Sequence, residues 1–160
     1  MIQEALQALL DGKDLDRQRA MGRDVGRAYR IPDAAGRYCV YLKSTFPKSL
    51  TLSGLRVVVD CAHGAAYKVA AELFYELGAD VIALGTEPDG TNINAGVGAL
   101  HPEHAAAAVV AHQADLGVAL DGDADRAILI DERGQIVDGD QMMLIMAQYL
   151  QGKGEQANST

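Results

Sequence analysis

Apolar residues fall into two rhythms here, one helical and one strand-like, and the alternation between them predicts most of the elements. At the N-terminus Ile2, Leu6, Leu9 and Leu10 share a face at helical spacing, so a helix is expected from Ile2 to Leu10, stopped by Asp11-Gly12. Residues 13–33 lose that rhythm. They are charged, rich in Arg and interrupted by Gly22 and Gly26, which reads as a surface connector. Ile31-Pro32-Asp33 breaks the chain, since Pro disfavours a helical residue before it. Asp33 is placed to cap a helix over about 34–45, which ends before Pro47.

From Ser53 strands and helices alternate. Arg56-Val57-Val58-Val59-Asp60 is a β-branched run of the kind that makes a buried strand, and Cys61-Ala62-His63-Gly64-Ala65 is a tight strand-to-helix turn. Val69, Leu73 and Leu77 line one face of a helix that Gly78 terminates, and Ala79 to Leu84 is a second strand closed by Gly85. Residues 86–98 form a long polar loop of Pro, Gly, Asn and Asp, each a turn former. Ordered loops of that length in compact domains are often functional. An Ala-rich helix covers about Pro102 to His112, and Leu116 to Leu120 is a third strand. Ala127 to Asp131 and Gln135-Ile136-Val137 pair as a hairpin across Glu132-Arg133-Gly134. In the last helix, after Asp138-Gly139-Asp140, the stripe Met142, Ile145, Met146, Tyr149 and Leu150 is expected to pack in the core. The fold class that follows is α/β: a single mixed, mostly parallel sheet flanked by helices.

Composition narrows the reading. With 160 residues, 49% of them apolar, the chain can build one α/β domain with its own core. Cys39 and Cys61 make no disulfide framework, which fits a reducing cytoplasm. No signal peptide and no stretch of membrane-spanning length is visible. Residues 1–60 hold ten Lys/Arg and seven Asp/Glu, whereas residues 61–160 hold four and fifteen, a net of −11. That balance argues against nucleic acid or an anionic membrane as partner and suits a protein that gathers cations.

The most informative chemistry is Asp121-Gly122-Asp123-Ala124-Asp125-Arg126. It follows an apolar strand, so its carboxylates are expected at the carboxyl edge of the sheet, where open α/β sheets bind ligands. Curled there, Asp121, Asp123 and Asp125 face one point and repel one another unless a hard divalent cation compensates. Arg126 brings a guanidinium suited to a phosphate. A plain acidic turn does not explain why three aspartates and an Arg follow a buried strand directly. A calcium loop of the EF-hand kind matches at Asp121, Asp123, Asp125 and Glu132, but it needs Gly where Arg126 stands and helices where the flanks read as strands. The turn at residues 60–65 resembles a phosphate turn at a helix N-terminus, yet no G-x-G-x-x-G, P-loop Lys or G-x-S-x-G pattern accompanies it. His63 reads as structural before it reads as a general base, and His101, His104 and His112 read as solvated.

Several segments in order resemble the phosphohexomutases, and their phosphoglucosamine mutase branch in particular. They are Gly36-Arg37-Tyr38 through Lys43-Ser44-Thr45-Phe46-Pro47, Val58 through Ala65, Glu87 through Asn94, Ala119 through Arg126, and Val137 through Gln141; Thr91-Asn92-Ile93-Asn94 favours the glucosamine branch. The resemblance implies a four-domain enzyme that interconverts glucosamine 6-phosphate and glucosamine 1-phosphate through a bisphosphorylated sugar and an active-site phosphoserine. It implies Mg²⁺ between the phosphoserine and Asp121, Asp123 and Asp125, with Arg126 reaching the phosphate, and a phosphosugar as substrate. It further implies that residues 1–33 are the tail of a preceding domain and a connector, residues 34–152 the metal-binding domain, and residues 153–160 a polar tail. The family's phosphoserine, sugar-reading and final phosphate-binding loops have no match in residues 1–160, so the chain is expected to bind metal loosely and to lack turnover alone. The alternative is a stand-alone divalent-metal-binding or interaction module. Two departures stand out. Ala124 replaces the family's second Gly, which alanine tolerates only where the backbone needs no positive φ, and His63 stands where Asn is common.

Overall fold

Val57, Val58 and Val59 decide where the sheet lies. In β1 (Arg56–Asp60) every residue after Arg56 is buried, because alternate side chains feed cores on opposite faces of the sheet. Val57 and Val59 join Cys61, Ala70, Ala79 and Val118 on one side. Val58 joins Ala105, Val109, Ala114, Ala119 and Ile130 on the other. This is a computed structural model, and it describes Gln7 and residues 20–153. The expected helix from Ile2 to Leu10 and the tail beyond residue 153 lie outside the described residues.

The chain forms two compact units, residues 1–32 and 33–160. The first shows a short 3-10 turn at Gly22–Asp24, with Met21, Val25, Tyr29 and Ile31 exposed. In the second, α1 (Ala34–Thr45) precedes β1. There follow α2 (Val69–Glu76), β2 (Asp80–Leu84), α3 (Pro102–His112), β3 (Leu116–Leu120), β4 (Ala127–Ile130), β5 (Ile136–Val137) and α4 (Gly139–Lys153). The five strands make one sheet in the order β2-β1-β3-β4-β5. β1 pairs in parallel with both β2 and β3, whereas the β3–β4 and β4–β5 pairs are antiparallel. Four of the five strands therefore point the same way, and the expected α/β architecture with a mixed sheet and flanking helices is the observed one.

This order has a consequence for function. From β1 the chain crosses by α2 to β2 on one side, then by α3 to β3 on the other. The connections diverge between β1 and β3, and that gap at the carboxyl ends of the strands is where doubly wound sheets hold ligands. The turn after β1, the loop after β2 and the loop after β3 all leave the same edge. α3 can lie close to the sheet because Gly117 has no Cβ: one built there would sit 2.7 Å from Val109 Cγ2. Ala105 and Val109, one turn apart, are the residues of α3 that this contact buries.

Three local expectations are corrected. Asp33 starts α1 without a side-chain capping bond; its backbone carbonyl accepts the Arg37 N–H instead. The α4 stripe is not core: α4 buries no residue, and Ile145, Met146, Tyr149 and Leu150 are exposed. His104 is not simply solvated, since its Nδ1 lies 3.1 Å from the buried Asp60 Oδ2.

Candidate metal centre

Asp60 organises the carboxyl edge before any ligand is considered. It is fully buried at the end of β1. Its Oδ1 accepts the Ala62 N–H at 2.9 Å, and its Oδ2 accepts the Gly98 N–H at 2.9 Å besides meeting His104. One carboxylate thus ties the turn after β1, the end of the long loop and the start of α3 together. The turn itself is tight enough to put two consecutive residues in the left-handed region, Ala62 at φ 54° and His63 at φ 51°. His63 Nδ1 accepts the Glu87 N–H, a structural use of the ring. Histidine and asparagine are both among the few side chains enriched in that backbone region, which accounts for His63 where Asn is common.

The loop 121–126 closes on itself. The Asp121 N–H donates to the Arg126 carbonyl at 3.2 Å, and the Ala124 N–H to the Asp121 carbonyl at 3.1 Å. This curl brings one carboxylate oxygen from each of Asp121, Asp123 and Asp125 within 4.8 Å of the others. Asp121 is buried at the base, while Asp123 and Asp125 are exposed at the rim. Arg126 is tied to the base of the loop: its Nε donates to Asp121 Oδ2 at 2.8 Å and its N–H to Asp121 Oδ1 at 3.2 Å. The side chain is still 65% exposed, so the guanidinium bridges Asp121 and the open side of the loop. Ala124 sits at φ 62°, so the condition under which alanine would be harmless there is not met.

The electrostatics fit a cation. Burial works to raise the Asp121 pKa, but the Arg126 guanidinium and N–H outweigh it and hold the carboxyl below its ordinary range. Asp125 is pushed the other way, chiefly by the negative charge of Asp123 and then of Asp121. Arg126 pairs closely with Asp121 and more loosely, at 3.7 Å, with Asp125, so one cation faces three carboxylates and repulsion at the rim remains. All three offer hard oxygen donors of the kind magnesium takes, and oxygens around that ion lie no more than about 4.2 Å apart. A spread of 4.8 Å closes to that range with a small adjustment of the exposed Asp123 and Asp125.

The neighbouring cavity has different chemistry. About 410 Å³ opens between α1, α2 and β3, lined by Tyr38, Leu42, Val69, Phe74, Leu120 and Ala124 among others. Asp123 is the one charged residue at its wall. Such a surface offers few partners to the hydroxyl groups of a sugar.

Sequence reasoning brought Asp121, Asp123, Asp125 and Arg126 to one loop. It missed Asn94 and Gly64, which lie against Gly122 of that loop, and Asp60, which ties the neighbouring segments together. The signals available were a charged residue closing an apolar strand, and small or turn-forming residues at the head of each neighbouring loop.

Residues 36–134 match the family model described as phosphoglucomutase/phosphomannomutase, alpha/beta/alpha domain II. A phosphoglucosamine mutase of Geotalea daltonii is 59% identical over 149 residues, which is 93% of this chain and 33% of that protein. One from Nitratidesulfovibrio vulgaris is 63% identical over 131 residues, 82% of this chain and 29% of that protein. A solved phosphoglucomutase/phosphomannomutase family protein from Burkholderia thailandensis superposes with a TM-score of 0.66 at 29% identity, covering 95% of this chain and 32% of that one. The chain spans about a third of the length of the curated relatives it matches. It belongs to the phosphoglucomutase/phosphomannomutase family and carries that family's alpha/beta/alpha domain II.

Proposed function

We propose that this chain is the metal-binding part of a phosphoglucosamine mutase, which interconverts glucosamine 6-phosphate and glucosamine 1-phosphate in the cytoplasm. The observation that carries this reading is the convergence of three carboxylate oxygens within 4.8 Å at the carboxyl edge of β3, beside the β1/β3 gap. The identity of the relatives as phosphoglucosamine mutases supports the sugar.

Asp121, Asp123 and Asp125 would hold Mg²⁺. When bound, the ion neutralises charge on a phosphoryl group in transfer. Asp121, buried and kept ionised by Arg126, is the fixed member of the set, and Asp123 and Asp125 adjust around it. Arg126, anchored through Nε, keeps an exposed guanidinium beside the carboxylates, and this is the group we assign to the phosphate. The adjoining cavity is apolar and offers little to a sugar, and the phosphoserine motif of the family has no match in residues 1–160, so sugar recognition and the phosphoserine are assigned to other polypeptide. Alone, the chain is expected to fold and bind metal but to produce no glucosamine 1-phosphate.

Amide NMR spectra recorded while Mn²⁺, Mg²⁺ and Ca²⁺ are added separately test the metal assignment. Selective broadening of residues 121–126 by Mn²⁺, with small shifts of the same peaks by Mg²⁺, is the expected result. No perturbation of that loop at millimolar concentrations refutes the assignment. Calcium bound more tightly than magnesium would return the reading to a calcium loop.

A further inference from the structure

The loop after β2 is more than a connection. Its tip is braced internally: Asp89 Oδ1 accepts the Thr91 N–H, the Thr91 hydroxyl and the Asn92 N–H, and Asn92 Nδ2 donates to the Glu87 carbonyl. Asn92 therefore spends its amide within the loop. Asn94 does not. Its backbone N–H donates to the Ala62 carbonyl at 2.9 Å, and its side chain turns toward Gly122, between two of the three carboxylates. A Cβ on Gly122 would lie 2.8 Å from Asn94 Nδ2 and 2.7 Å from Ile93 Cδ1. From the other side, the Ala65 N–H donates to the Gly122 carbonyl at 2.8 Å, and a Cβ on Gly64 would lie 2.2 Å from that oxygen. The Gly122 peptide is gripped between two loops.

Asn94 carries one unfavourable feature at this contact. Its left-handed backbone, at φ 58°, suits asparagine, but its Oδ1 is buried with no hydrogen-bond partner among the described residues. A buried unsatisfied acceptor is costly and persists only where the surroundings impose it. We propose that Asn94, with Ile93 beside it, is a positioning residue that fixes the Gly122 peptide and so sets the convergence of Asp121 and Asp123 on the cation. This rests on the metal-binding reading above. Asp123 and Asp125 are exposed, so the backbone between them and Asp121 is what holds their spacing.

Asn94→Gly removes the side chain and keeps a residue at ease at positive φ, so loss of the amide is not confused with new strain. Two readouts are taken on the whole chain. Without metal, amide exchange at Ala65 reports the bond to Gly122; it is expected to quicken about tenfold, with Val58 in the core unchanged. With Mn²⁺, the dissociation constant is expected to rise about tenfold, the lower end of what losing a supporting partner costs a metal site. Ile93→Ala, at a half-exposed position, is expected to move both readouts the same way, and it decides the matter if Asn94→Gly fails to fold. Unchanged Ala65 exchange and unchanged Mn²⁺ affinity in a folded variant overturn the proposal, as does equal loss of protection at Ala65 and Val58, which marks a merely structural residue. A native chain that takes no Mn²⁺ overturns the metal reading and Asn94's role with it. A native chain that binds, beside variants that bind equally, overturns the role of Asn94 alone.

Discussion

Ala124 is the residue at which this aspartate loop departs from the Asp-Gly-Asp-Gly-Asp-Arg that the resemblance leads one to expect, and its backbone shows the cost. At φ 62° its Cβ crowds the following carbonyl, a conformation that costs an L-residue about 1–2 kcal/mol. Ala124→Gly relieves that strain, while glycine's greater freedom in the unfolded chain offsets part of the gain. The expected net stabilisation is about 0.5 to 1 kcal/mol in a urea melt; a loss of stability would mean the alanine methyl packs usefully against the cavity it lines. The two thiols make a second prediction. Cys39 and Cys61 are buried, and burial followed by the charge of Asp60 pushes Cys61 up to about 11. Because the folded pKa lies above the ordinary 9.0, this group's contribution to stability is complete below about pH 9 and is lost as pH rises toward 11. At pH 8 a thiol reagent such as DTNB is expected to modify neither cysteine in the native chain and both in guanidinium. The triad was legible in the sequence because its three carboxylates alternate within five consecutive residues. The contact of Asn94 with Gly122 was not, since it depends on which strands become neighbours.

Elements were legible where their apolar residues had partners. The β-branched run of β1 was read as a buried strand, and its side chains fill the cores on both faces of the sheet. The stripe on α4 has helical spacing, yet Ile145, Met146, Tyr149 and Leu150 remain exposed among the described residues. Periodicity reports that a helix has an apolar face, not what covers it, and among the described residues α4 buries none of its side chains. The contrast can be measured. Ile130 in β4 is fully buried between α3 and β3, so Ile130→Ala is expected to cost about 3 kcal/mol. Met146→Gln, on an α4 residue 61% exposed, is expected to change stability by less than about 0.5 kcal/mol. A large loss from Met146→Gln in thermal or urea unfolding would show that α4 is covered in solution.

The whole chain carries a formal net charge of −8, and residues 61–160 carry −11, so cations are expected to stabilise it in two separable ways if the proposed site binds a metal. Any salt screens the general repulsion. A divalent ion at Asp121, Asp123 and Asp125 adds mass-action stabilisation, about 1.4 kcal/mol at ten times its dissociation constant. For a protein of this size that raises the melting temperature by roughly 3–6 °C. The two effects part in a calorimetric comparison at equal ionic strength. MgCl₂ is expected to raise the Tm above that in NaCl, and Asp123→Asn to remove the excess while leaving the NaCl response intact. The asparagine keeps the shape of the loop and deletes one of the two rim charges, so its metal-free Tm should not fall; relief of the repulsion on Asp125 argues for a small rise. If NaCl matches MgCl₂ in the native chain, the acidic loop acts only as part of a negative surface, and the convergence of its carboxylates does not select an ion.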